Sequence, residues 1–171
     1  MAVFLVVILG LLLVRVSVQN FQAEGVSMMP GLHDGEHVVV NKLAYTRGDL
    51  GLIGWLPFFD SSDTPYLWGG PDRGDIIVFQ LPQYSRKFIK RVIGVPGDTI
   101  AIRNGRVFRN GEVLDEPYAQ GETQCLSSCG PWTVPGGQYF VLGDNRGDSL
   151  DSRAGWLVPS DRIVGEALFS Y

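Results

Sequence analysis

The sequence predicts a mostly β protein, in which antiparallel sheets coil on each other behind an N-terminal membrane helix. Three observations predict it. Short runs rich in Val, Ile and Phe recur beyond residue 20, where helical periodicity is scarce. Asn-Gly pairs at 104–105 and 110–111 fall between apolar segments, the setting in which a type I′ hairpin turn favours this dipeptide. The chain also opens on AVFLVVILGLLLV, residues 2–14, an unbroken apolar run.

That opening run reads as a membrane anchor over residues 1–19, since VSV continues it after Arg15. About 17 helical residues at ~1.5 Å rise reach about 25 Å, a little short of a ~30 Å hydrocarbon core, so Arg15 would snorkel to an interface. A cleaved signal peptide is the competing reading. No positive residue precedes the run and no small-x-small site directly follows it, which favours a retained anchor. With no Lys or Arg ahead of the segment, the positive-inside rule does not orient it, and a few cytoplasmic residues are expected upstream.

Residues 20–171 then form one domain with a sizeable core. Its strands are expected at HVVVN (37–41), DIIVF (75–79), FIKRVIG (88–94), TIAI (99–102) and YFVL (139–142), with Gly 22 and Pro 10 supplying the breaks. An aromatic-rich insertion, residues 46–72, interrupts the pattern with Trp55, Phe58, Phe59, Tyr66 and Trp68. These rings either cap a core or rest in the interfacial zone of a membrane, and both readings stand. A small cysteine-containing subdomain is expected at about 104–135.

Lys plus Arg is 14 against 18 Asp plus Glu, a net charge of -4, which offers no extended basic surface for nucleic acid. Cys125 and Cys129 lie in QCLSSCG, far from His33 and His37, so no zinc ligand set forms and no metal is expected. A disulfide across a tight loop is preferred to two free thiols, and it would imply an oxidising compartment outside the cytoplasm.

Chemistry centres on EGVSMMPGL, residues 24–32, where Ser27 follows an acidic glycine turn. Serine is a poor nucleophile at neutral pH and needs a positioned base. His33 and His37 come within ten residues of it, with no matched Asp arrangement apparent. The three lysines are Lys42, Lys87 and Lys90. In SRKFIKRVIGVPGD the period of two puts Lys90 on the same strand face as Phe88 and Val92, so burial of that face would desolvate the ammonium and lower its pKa. Lys87 projects to the other face, and Lys42 in VVVNKLAY reads as a solvated strand terminus. A lysine in a strand is more often a solvated edge residue, so the pattern alone leaves the base open.

GVSMMPGL, RGDIIVF, KRVIGVPGD and GDNRGDSLDSR, in this order behind an apolar N-terminus, resemble the successive boxes of the type I signal peptidases, peptidase family S26. These are membrane-bound serine-lysine endopeptidases of bacterial and organellar secretion, with a catalytic fold shared with self-cleaving repressors of the LexA kind. The resemblance covers nearly the whole chain. It implies Ser27 as nucleophile and Lys90 as general base, with Ser149 holding the lysine in place and Met28, beside Phe88, in the substrate pocket. It implies oxyanion donors from the backbone of Ser27 and, more loosely, of Gly25. It matches Asp144 with Arg91, and Asp151 with Arg153, as ion pairs that brace the site. Gly31 where threonine is common, and Gly147-Asp148 in place of Asp-Asn, depart from the pattern at positions without chemistry.

The resemblance implies cleavage of preproteins that carry small residues before the cut, at a cell membrane, on its extracytoplasmic side, by a single-pass enzyme that needs no cofactor. The lipid bilayer is the other expected partner. Two rivals are weighed. A self-cleaving repressor protease would need a DNA-binding domain or a cleavable linker and would have no use for the apolar N-terminus. A catalytically inactive membrane-tethered β-module binding exported peptides would keep the fold without the chemistry; intact Ser27, Lys90 and Ser149 argue against it.

Overall fold

A computed structural model of the chain describes residues 17–45, 66 and 69–171. The expected anchor, up to residue 16, lies outside these residues, as do Trp55, Phe58, Phe59 and Trp68 of the insertion. Among the described residues no helix is long and apolar enough to cross a membrane.

Five strands form where alternation and β-branching place them: β2 (His37–Asn41), β3 (Ile76–Phe79), β4 (Phe88–Gly94), β5 (Thr99–Arg103) and β9 (Gln138–Leu142). Both Asn-Gly pairs turn hairpins with positive φ at each residue, 50° and 73° at 104–105 and 54° and 88° at 110–111. They link β5 to β6 (Arg106–Arg109) and β6 to β7 (Glu112–Val113). Short strands β8 (Trp132–Thr133) and β10 (Val158–Pro159) complete the edges.

Two strands depart from the sequence reading. Val18 and Gln19, assigned to the end of the anchor, belong to β1 (Val18–Gln22), which pairs antiparallel with β2 from Val18↔Asn41 to Gln22↔His37. Its polar sequence has weak strand propensity, and pairing with an apolar neighbour supplies what propensity does not. Strand β11 (Ile163–Ser170) lies between β2 and β3. Its register shifts twice, between Ile163 and Gly165 and between Ala167 and Phe169, which erases the alternation that would announce it.

The result is a seven-stranded sheet, in the order β1-β2-β11-β3-β4-β9-β10, and a four-stranded sheet, β7-β6-β5-β8. All the strand pairs are antiparallel. Ile93, Phe140 and Leu142 of the large sheet share one core with Ile100, Val107 and Val134, so the smaller sheet packs on β4 and β9. Tyr66, from the insertion, is buried with Ile77, Phe79 and Phe88 in a second core. Met28 and Leu32 join Val38, Val40 and Val78 in a third.

Candidate active site

Ser27 stands on a loop that is held from several directions. Met28 and Leu32, 4% and 5% exposed, plug into the core behind it, and the Leu32 N–H donates to the Met28 carbonyl at 2.9 Å. From the other side Asn145 clamps the loop, its backbone N–H donating to the Ser27 carbonyl at 3.1 Å and its Nδ2 to the Val26 carbonyl at 3.2 Å. At the entrance Gly25 has φ 88°, a left-handed conformation that favours glycine, and its N–H donates to Asp34 Oδ1 at 2.7 Å. That N–H is therefore engaged, and a role as oxyanion donor would require it to leave Asp34. The Ser27 N–H has no acceptor among the described residues.

Strand β4 delivers the second group. Its odd-even alternation buries Phe88, Lys90 and Val92 on one face. Lys90 is 3% exposed, and its Nζ donates to Ser27 Oγ at 2.7 Å and to the Ile89 carbonyl at 2.9 Å. Burial brings its pKa down from 10.5 to about 8; the negative charges of Asp151 and Asp144 pull upward, and Arg86 adds to the depression. An amine that titrates there is neutral in a useful fraction near pH 7. In that state the hydroxyl donates to Nζ, and a proton can pass from Oγ to nitrogen.

Met28 and Phe88 both line the cleft, of about 540 Å³, that contains Ser27 and Lys90. Ser149 lies close behind: a Cβ on Gly143 would collide with Ser149 Oγ and with the Ser27 carbonyl, so only glycine lets these loops approach. The expected bond from Lys90 to Ser149 does not form. Ser149 Oγ is buried without a partner among the described residues.

Both expected ion pairs are present. Arg91 grips Asp144 with two bonds, Nε to Oδ1 at 2.9 Å and Nη2 to Oδ2 at 2.6 Å. Arg153 grips Asp151 in the same way at 2.8 Å and 2.8 Å, with both residues almost fully buried. Asp151 Oδ2 also accepts the Gly143 N–H at 3.2 Å, which ties this pair to the backbone under Ser149. Cys125 and Cys129 are bridged, and Ser127 between them donates both its N–H and its hydroxyl to the Arg153 carbonyl, the latter at 2.7 Å. The disulfide loop thus leans on the last box, where the sequence set it apart.

His33 bonds Glu36 at 3.0 Å and His37 stacks on Tyr171, and neither lines the cleft. Lys87 lines it but rests its Nζ over the Phe21 ring, 4.4 Å from the centroid. Sequence reasoning missed Asn145 and Arg146. Arg146, 2% exposed, pairs with Glu116 at 2.6 Å and donates to the Gly143 carbonyl. Their signal was their place in GDNR beside Asp144, but a loop Asn or Arg has no periodicity to reveal its partner.

A β-fold that brings a serine hydroxyl against a buried amine in one cleft is an arrangement suited to a serine hydrolase. The sequence matches the family described as "Signal peptidase, peptidase S26" over residues 1–171. It is 35% identical over 179 residues to signal peptidase I T of Bacillus subtilis (strain 168), covering 99% of this chain and 82% of the relative. Signal peptidase I of Bacillus amyloliquefaciens is 33% identical, again over 99% of this chain and 82% of the relative. A crystal structure of a signal peptidase I from Enterococcus faecalis V583 shares 34% identity, with a TM-score of 0.49 over 58% of this chain and 98% of that one. The chain belongs to the signal peptidase family S26 and is a serine endopeptidase.

Proposed function

We propose that this endopeptidase removes N-terminal signal peptides from exported preproteins, with Ser27 as nucleophile and Lys90 as general base. The observation that carries the reading is the 2.7 Å contact between Ser27 Oγ and an amine that is 3% exposed and faces the same cleft. Neutral Lys90 takes the hydroxyl proton as Oγ attacks the scissile carbonyl. The proton then passes to the leaving amine, an acyl-enzyme remains, and water activated by the same lysine releases the acid.

The Ser27 N–H is the oxyanion donor in this scheme, and Gly25 is left out while Asp34 holds its N–H. Met28 and Phe88 form the floor that admits small side chains before the cut. Ser149 orients the amine in this scheme, and its buried hydroxyl has an unused acceptor for it among the described residues. An extended substrate pairing with a strand edge beside Ser27 would present alternate side chains to this floor. Residues 1–19 tether the enzyme, except that Val18 and Gln19 already belong to β1. The bridged cysteines agree with an extracytoplasmic catalytic domain.

The test is cleavage of a preprotein and of its mature-length control by the full chain. Ser27→Ala and Lys90→Ala should each lose cleavage by about 10³-fold or more while keeping the parent circular dichroism, and Lys42→Ala should cleave normally. Full activity in Lys90→Ala would sink the dyad. Ser149→Ala should lower kcat with little change in KM.

A further inference from the structure

Resting on the peptidase reading above, we propose that Arg86 and Lys87 form an anion subsite of the catalytic cleft that takes an acidic side chain of the extended substrate. Both residues line the cleft with Ser27 and Lys90. Both are exposed, and among the described residues neither belongs to an ion pair.

Each cation is held instead on an aromatic face. The Arg86 guanidinium lies 5.1 Å from the centroid of Phe88, and Lys87 Nζ reaches across to Phe21 of β1 at 4.4 Å. Ring contacts position a cation without neutralising it, so both charges stay open to a carboxylate. Glu24 and Asp148 line the same cleft, and among the described residues neither is paired with Arg86 or Lys87.

Arg86 and Lys87 precede the first residue of β4, and the Arg86 guanidinium and Lys90 Nζ lie 5.1 Å and 5.8 Å from the same Phe88 centroid, so they stand no more than about 11 Å apart, the length of roughly three strand residues at ~3.3 Å each. A substrate strand rises by the same amount per residue. The acidic side chain therefore falls within about four residues of the scissile bond, on one flank only. An anionic lipid headgroup would meet the same charges; the cations' place inside the cleft beside Ser27 favours a group that arrives with the substrate.

The experiment uses the full chain in a zwitterionic detergent without lipid. A signal-peptide substrate is varied by moving one Glu through the four positions on each side of the cut, with Gln and Lys at the same positions as references. The parent should cleave the Glu peptide about three- to tenfold better than the Gln peptide in kcat/KM, at one or two of the four positions of one flank and at none of the other. The gain should shrink as ionic strength rises from about 0.05 M to about 0.5 M. In Arg86→Glu/Lys87→Glu the preference should pass to the Lys peptide, and the milder Arg86→Gln/Lys87→Gln should level the three peptides if the reversal variant fails to fold. A Glu-to-Gln ratio near one in the parent, or one that both double variants retain, overturns the subsite while cleavage of the Gln peptide leaves the peptidase reading standing. A charge effect seen only with anionic vesicles, and equal for all peptides, assigns the pair to lipid and likewise overturns it. If the parent cleaves none of the peptides or the preprotein, both readings fall.

Discussion

Strand β4 presents neighbouring cations to its two sides, and the sides treat them in opposite ways. Arg91 is met by a carboxylate: its side chain is 14% exposed, Asp144 opposite is 1% exposed, and the two share a bidentate pair. Tyr118 covers the guanidinium at 4.1 Å. Burial works against the Arg91 charge, yet the bond and the field of Asp144 outweigh it and hold the residue further into its cationic range. Lys90 is buried more deeply, and among the described residues its Nζ bonds a hydroxyl and a carbonyl and no carboxylate. Without a carboxylate in contact, burial wins and its pKa falls to about 8. The same strand thus makes one cation a brace and the other a base, and the partner decides which.

The contrast is sharpest in stability. The fall from 10.5 to about 8 means that burying the Lys90 ammonium disfavours the folded state by ~3 kcal/mol at pH 7. Because the folded pKa lies below the unfolded one, this deficit is present below about pH 8 and disappears as pH rises towards 10.5. Arg91→Met, which strands Asp144, should lose ~3–5 kcal/mol. Lys90→Met should gain ~1–3 kcal/mol at pH 7 while abolishing cleavage, and its gain should vanish near pH 10.5. Urea unfolding of the detergent-solubilised chain at both pH values checks this, and equal losses in the two variants would dissolve the comparison.

A second expectation concerns activity. With a pKa of about 8, roughly one Lys90 in ten is neutral at pH 7, against fewer than one in a thousand for an ordinary lysine. The profile of kcat/KM should rise with pH on an acid limb near 8. Phe88→Ser should admit water beside the amine and move that limb upward by about one pH unit. A parent limb near pH 10, or no movement in the variant, would remove desolvation as the means of activation.

The smallest effect is expected at the disulfide. Cys125 and Cys129 close a loop of about five residues, so replacing both with serine should lower stability by ~2 kcal/mol or less. Ser127 reaches the Arg153 carbonyl, not the cleft, and kcat should stay within about twofold. A large loss of kcat in the double variant would show that the bracing side of the molecule governs the chemical step after all.

Much was legible because the residues announce themselves locally. Alternation placed β2 and β4 to the residue, and it put Lys90 on one strand face with Phe88 and Val92, the face that the fold buries. Asn-Gly pairs marked both hairpins, since few other dipeptides accept positive φ twice in succession. The boxes around Ser27, Lys90 and Asp144 could be recognised as a set.

Tertiary structure alone decided the rest. Residues 27 and 90 lie far apart in the chain, and their 2.7 Å contact depends on Met28 and Leu32 entering one core while Phe88 enters another. β11 has no pattern of its own, and its place between β2 and β3 follows from two neighbours with unpaired edges. Asn145 acts on Ser27 through backbone geometry, which leaves no trace in composition or period. Local sequence determined which groups could be buried and where the chain could turn. Which buried cation met a carboxylate, and which met a hydroxyl, was set by long-range packing, because desolvation and pairing depend on every segment that closes around the charge.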